Sequence, residues 1–216
     1  MRRRVARRGY NLGVAEAPSA ADRGALAALV TRVVAIDDDA AAPLLDAART
    51  RRLVRGELLL HAGDRATAAG VVVAGVMREY FPLADGREVT RNFAGPGDGI
   101  GSLSDLMSGE PSRSAIAAET DARVVTVPWQ VLRSEADRNP AVAAFLARTV
   151  EQLYLTKARR EYELLALDAE GRYLAFRARF ARLEDHIQLK QVASYVGITP
   201  EHLSRLRRRL AGAPPG

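Results

Sequence analysis

The sequence predicts an α+β protein: a mostly β domain over about residues 36–138, one long helix over 139–167 and a small helical domain over 168–216. Three observations predict it. From Leu53 to Val127, short apolar runs (LLL at 58–60, VVV at 71–73, RVVTV at 123–127) are separated by Gly and Asp, the rhythm of many short strands. After Asn139-Pro140 the apolar residues recur at spacings of three and four, the helical period. Near the C-terminus, QVASYVGITPEHLSRLRRRL (Gln191 to Leu210) carries the small residue, the turn glycine and the N-cap that two crossed helices need.

Taken in order, the chain opens on MRRRVARRGY, five arginines and no acid, and stays rich in Ala and Arg to about Ala35. It lacks the apolar core of a secretory signal, so residues 1–35 read as an extension without fixed structure, with no function assigned. In the β domain the turn candidates are Gly63-Asp64, Asp85-Gly86 and Gly97-Asp98. Asp85-Gly86, between REYFPLA and REVTRNF, predicts a hairpin through a type I′ turn, whose two central residues need positive φ. Strands this short and this numerous pack best as a sandwich or jelly roll.

Pro140 suits the first turn of the helix that follows, and Val142, Leu146, Val150 and Leu153 form a narrow apolar seam along it. Such a seam pairs with a copy of itself or packs on the chain's own β domain, and the two are compatible. Asp168 is the N-cap of a further helix bearing Tyr173, Leu174 and Phe176, and a short linker at Glu184 to Ile187 leads into the C-terminal motif.

In that motif Ala193 is the small residue at the crossing and Gly197 the turn. Val192, Val196 and Ile198 supply half of a shared core, and Leu203, Leu206 and Leu210 the other half. Thr199 is an N-cap and Pro200 stands in the first turn, where a helix tolerates it. Glu201, Ser204, Arg205 and Arg208 then fall at i, i+3, i+4 and i+7, a polar stripe opposite the leucines. A guanidinium at Arg205 matches O6 and N7 of guanine, a carboxylate at Glu201 accepts from cytosine N4, and Ser204 serves as donor or acceptor. Lys190, Arg207, Arg208 and Arg209 are placed to meet phosphates. The competing reading is a solvated face in which Glu201 and Arg205 form an exposed pair worth a few tenths of a kcal/mol.

Composition narrows the partners. Thirty-two Lys and Arg against 26 Asp and Glu leave a net charge of +6, which favours a polyanion such as double-stranded DNA. No apolar run approaches the ~20 residues of a membrane span. The absence of cysteine removes disulfides and thiolate metal or iron–sulfur sites, and fits the cytoplasm. The three histidines, His61, His186 and His202, make no metal cluster, so neither a metal site nor a jelly-roll metalloenzyme is expected, and no catalytic constellation is read.

From Arg52 to Leu210 the chain resembles the Crp/Fnr family of bacterial transcription regulators. GELLLHAGD at 56–64, DGREVTRNFAGPGDGIG at 85–101, SRSA at 112–115, the Pro140 helix, LDAEGRYLAF at 167–176 and the C-terminal motif occur in the family's order. The resemblance implies a β-roll effector domain of the cyclic nucleotide-binding type, a long dimerisation helix and a C-terminal winged helix-turn-helix. It implies a homodimer on a near-palindromic site, and RNA polymerase as a partner if the protein activates. Family members with Glu, Ser and Arg at the positions of Glu201, Ser204 and Arg205 use them on base edges, which points to a half-site of the TTGA kind. Pro200 replaces an Arg of the cyclic-AMP-type members, a departure from their TGTGA preference.

For the effector, the resemblance implies a phosphate pocket built from Gly101, Ser102, Leu103, Arg113 and Ser114. The family's ribose-binding Glu is here Ser102, and its two hydroxyl residues on the long helix fall at Lys157 and Ala158 by counting. The Arg-Ser pair still suits an anion. The expected effector is therefore a small anion, with a cyclic nucleotide the less favoured member of that class, or none. Without the resemblance, Arg113 reads as an exposed loop arginine or a partner of Glu110 or Asp105. A function of another class is a ligand-binding module that acts through a protein partner, without specific DNA readout.

Overall fold

In the computed structural model, residues 15–212 are described. Eight strands form two four-stranded antiparallel sheets: β1 (Arg49–Leu53), β2 (Leu58–Leu60), β3 (Ala68–Ala74), β4 (Met77–Pro82), β5 (Glu88–Ala94), β6 (Gly99–Ile100), β7 (Ala115–Ala118) and β8 (Ala122–Pro128). The orders are β1-β8-β3-β6 and β2-β7-β4-β5. Leu53, Val72, Met77, Ala94, Ile116, Ala118 and Val124 fill the space between them. Gly70 allows the closest approach, since a Cβ there would lie 1.8 Å from the Val125 carbonyl oxygen of the neighbouring strand.

The β4–β5 hairpin forms where Asp85-Gly86 predicts it, but not through a type I′ turn. Leu83 pairs with Arg87, leaving a three-residue loop in which only Gly86 has positive φ, at 85°. Asp85 keeps negative φ because its carboxylate accepts from Arg87 N (3.0 Å) and Arg87 Nε (2.7 Å), so the loop is a type I turn closed by a glycine bulge.

The reading of residues 1–35 as an unstructured extension is corrected over residues 15–35; residues 1–14 lie outside the described residues. Helix α1 (Ala20–Val33) begins at a capping box in which Ser19 and Asp22 exchange hydrogen bonds. Buried Asp22 also accepts from Thr50 Oγ1 (3.1 Å) and pairs with Arg123 (3.2 Å), which ties the helix to the first sheet. Leu26 and Val30, one turn apart, join Val71, Val125 and Val127 in a second core. The alanine-rich composition that looked featureless is here a good helix former. Helix α2 (Asp38–Ala47) adds Leu44 to the same core.

After α3 (Leu103–Ser108) and α4 (Trp129–Arg138), the long helix α5 spans Pro140–Ala166, capped by Asn139 Oδ1 on Ala141 N (2.9 Å). Its predicted apolar seam divides. Val142 and Phe145 are buried against the chain's own β domain, while Val150, Tyr154, Ala158 and Leu165 run along another face, with Tyr154 70% and Leu165 81% exposed. Helix α6 (Ala169–Phe180) starts from the Asp168 cap, and a 3-10 turn at Glu184–His186 leads to α7 (Leu189–Val196) and α8 (Pro200–Gly212). Among the described residues after α5 there is no strand, so the helix-turn-helix stands there without the expected wing.

Candidate functional site

Two candidate sites emerge, one on α8 and one between α5 and the sandwich. Gly197, at φ 77°, turns the chain from α7 into α8, and Thr199 caps α8 by accepting from His202 N (3.2 Å). Leu203 and Leu206 are buried with Val192, Ala193, Tyr195 and Val196, and Ile198 and Leu210 pack at the edge, as predicted. That burial orients the polar stripe outward: Glu201, Arg205 and Arg208 are exposed and Ser204 half-buried. Arg208 donates to Ser204 Oγ (3.4 Å). The Glu201 carboxyl is held below the usual range by hydrogen bonds from its own backbone N–H and from Thr199, so it is an acceptor at neutral pH. Lys190 is exposed on α7. The structure departs from expectation at two arginines: Arg207 pairs with Glu184 (3.5 Å) and Arg209 with Glu170, on the flanks of α8, so both brace the small domain itself.

This domain docks on the sandwich. Ser194 of α7 donates to the Glu88 carbonyl (2.8 Å) and accepts from Thr90 N (2.9 Å), satisfying the open side of β5, which is the edge strand of its sheet. Phe93 of β5 lies against Phe176, Phe180 and Tyr195 at ring-centroid distances of 6.1, 5.6 and 6.0 Å. At Gly95 the Leu183 side chain packs close, since a Cβ there would come within 2.4 Å of its Cδ2 and would require that side chain to shift.

The second site is an open cavity of about 780 Å³ between the β4–β5 hairpin, α3, the loop at 110–114 and the C-terminal half of α5. Five cationic side chains line it, Arg91, Arg113, Lys157, Arg160 and Arg179, facing Glu79, Asp105, Glu110 and Glu161. Arg113 and Lys157 are exposed and enter no ion pair among the described residues, so Arg113 does not pair with Glu110 or Asp105. Ser114 is buried and donates to Glu79 Oε1 (2.9 Å), which also pairs with Arg91 (2.6 Å). A carboxylate of the protein thus already occupies the hydroxyl of the Arg-Ser pair.

The implied set of effector residues is only partly brought together. Arg113 and Ser114 line this cavity, whereas Gly101 and Leu103 line a neighbouring one. Ser102 is 2% exposed and its hydroxyl donates to Asp105 (2.6 Å), as does that of Ser112 (2.6 Å). Burial raises the Asp105 pKa, but the hydrogen bonds from the two serines outweigh it and hold the group below the usual range. On α5, Lys157 lines the cavity as the count implies, together with Thr156, and Ala158 does not line it. Sequence reasoning missed Glu79, Arg91, Arg160 and Arg179. Arg91 sits at a bulge, since Glu79 pairs with Asn92 and Tyr80 with Thr90, and strand alternation does not announce a bulge.

The cavity is wired to the small domain. Arg160 donates to the Tyr195 carbonyl and stacks over the Tyr195 ring at 3.9 Å, and Arg179 of α6 donates to Asn92 Oδ1 (3.3 Å). No cluster of His, Asp or Glu among the described residues could hold a metal ion, and no helix there is long and apolar enough to cross a membrane.

Residues 50–139 match the family model described as the cyclic nucleotide-binding domain. The chain is 28% identical over 174 residues to the anaerobic regulatory protein of Aggregatibacter actinomycetemcomitans, a match covering 74% of this chain and 66% of that one, just under two thirds of its length. It is 29% identical over 168 residues to the cyclic AMP receptor protein of Thermus thermophilus, covering 74% and 76%. Among solved structures, FixK2 of Bradyrhizobium japonicum matches with a TM-score of 0.67 at 26% identity, over 76% of this chain and 84% of that one. A sandwich with this match, followed by a long helix and a helix-turn-helix, makes the chain similar to transcription regulators of the Crp/Fnr type, with a cyclic nucleotide-binding-type domain over residues 50–139.

Proposed function

We propose that the protein is a cytoplasmic homodimer that binds a near-palindromic DNA site and answers to a small anion in the α5 cavity. The observation that carries this reading is the α8 stripe: Glu201, Ser204, Arg205 and Arg208 point outward only because Leu203 and Leu206 are buried. Arg205 reads guanine, Glu201 accepts from cytosine, Ser204 adjusts, and Arg208 and Lys190 meet phosphates. Arg207 and Arg209 contribute mainly through their ion pairs inside the domain. The exposed α5 face with Tyr154 and Leu165 supports pairing of two long helices, which places two reading helices about one helical turn of DNA apart.

The anion acts through the wiring. Drawn to Arg113 and Lys157, it competes with Glu79 for Arg91 and Ser114, and it lies beside Arg160 and Arg179, whose partners are in the docked domain and the hairpin. Rearranging those contacts shifts the angle of the reading head among states already populated. A cyclic nucleotide is the less favoured effector, because Ser102 is turned to Asp105 and Ser114 to Glu79.

DNase footprinting on selected sites at physiological salt tests the DNA reading: a protected two-fold site is expected. Binding that is salt-sensitive but sequence-independent would instead favour a module acting on a protein partner. Calorimetric titration with cyclic AMP and cyclic GMP, with Arg113→Ala as control, tests the nucleotide branch.

A further inference from the structure

The second cavity, of about 330 Å³, lies between α1, the β3–β6 edge and the N-terminal half of α5. Its walls are apolar, with Leu26, Val30, Leu44, Val127 and Phe145 among them. Three of the polar side chains at its edge are spent, Thr149 Oγ1 donating to the Phe145 carbonyl (2.7 Å), Arg32 to the Gly97 carbonyl (2.6 Å), and Asp98 accepting from Gly95 N (2.9 Å), which leaves Gln152 and Thr156 on the α5 side. Leu153 and Thr156 line both this cavity and the cationic one. The two are therefore neighbouring compartments of one groove under α5, greasy at the α1 end and cationic at the α6 end.

We infer that the groove takes an amphipathic anion, with its alkyl chain in the apolar compartment, its phosphate or carboxylate on Arg113 and Lys157, and Leu153 and Thr156 at the junction. This deepens the effector reading and rests on it. A purine edge would find few free partners in the apolar compartment, and a site that cannot pair a buried polar group rejects it strongly. An alkyl chain asks for none. At a share of about 30 Å³ for a water-sized group, the compartment holds about ten methylenes. Charge selects the other end, because Arg91 and Arg160 are paired with acids and Arg179 is held by Asn92 and the Phe180 ring, which leaves Arg113 and Lys157 as the exposed cations there with no partner among the described residues.

The test is calorimetric titration of the full-length protein with alkyl phosphates from butyl to dodecyl, each below its micelle-forming concentration, beside inorganic phosphate and cyclic AMP. Affinity rises about fourfold per methylene and levels off once the compartment is full. Thr149→Phe, or Val33→Phe from the α1 wall should that variant fold better, moves the plateau to shorter chains. Lys157→Ala and Arg113→Ala weaken every chain length by the same factor. Affinity independent of chain length, or a length series unmoved by both Phe variants, overturns the inference. So does binding to anionic vesicles without binding to monomeric alkyl phosphate. A change in the monomer–dimer balance of Thr149→Phe with no change in the ligand series also overturns it, since the compartment would then be covered by a second copy of the chain. If cyclic AMP alone binds, in an Arg113-dependent way, the amphipathic inference fails and the effector reading stands; if nothing binds and no ligand alters the footprint, both fail.

Discussion

Replacing Ser194 by Ala isolates the contact between the small helical domain and the sandwich. The hydroxyl serves two backbone groups of the β5 edge, accepting from Thr90 N at 2.9 Å and donating to the Glu88 carbonyl at 2.8 Å. Thr90 is 3% exposed, so its N–H loses its partner and gains no water while the domain stays docked. An unsatisfied buried donor costs about 1–3 kcal/mol, and about 2 kcal/mol corresponds to roughly thirtyfold in the docking equilibrium. The rings around Phe93 are untouched, so the domain remains folded and merely opens more often. Hydrogen–deuterium exchange of native protein reads this directly. Amides of β5 and α7 are expected to exchange about ten- to a hundredfold faster, with β3 and β8 unchanged. Unaltered protection in β5 would refute the assignment of Ser194 as the edge partner, and equal acceleration throughout the sandwich would refute the claim that docking is a separable step.

Arg205→Ala is expected to cost about 1–3 kcal/mol of binding to the selected DNA and to relax preference at one base pair; a variant as tight and selective as the parent removes Arg205 as the base reader. Tyr154→Glu puts a charge on the exposed apolar face of α5 and is expected to shift sedimentation toward the monomer, whereas an unchanged oligomeric state would place the interface elsewhere. Tyr173 is pushed up to about 12, first by burial and then by its hydrogen bond to Glu184 (2.7 Å). Because the folded state holds this proton more tightly, its stabilising contribution is complete below about pH 10 and falls away as pH rises toward 12. Chemical denaturation followed across that window should lose its slope in Tyr173→Phe, and an unchanged slope would assign the effect to another group.

The helix-turn-helix was legible because its constraints are local. A helix ends at Gly197, restarts at Thr199-Pro200 and buries every third or fourth residue, so the outward position of Glu201, Ser204, Arg205 and Arg208 follows from periodicity alone. The long helix and the β4–β5 hairpin were legible for the same reason, through Pro140, Asp168 and Gly86. The alanine-rich segment that became α1 was not, because its helix is held by contacts far along the chain, Asp22 with Thr50 and Arg123. The direction of the turn at Asp85 likewise depended on one side-chain contact to Arg87.

The effector site was the least legible. The candidate pair Arg113 and Ser114 came from the family resemblance, but which acid faces it is a matter of sheet register: beside the bulge at Glu79 and Tyr80, the Glu79 carboxylate accepts from Ser114 and pairs with Arg91. Likewise, whether α5 presents Thr156 or Ala158 to the cavity depends on how the helix is rotated when Val142 and Phe145 are buried. Periodicity determines which residues share a face, and so the sequence alone was enough to specify the outward stripe of α8. Which face meets which neighbour is decided by long-range packing, and so only the tertiary structure could decide what lines the cavity under α5 and where the small helical domain docks.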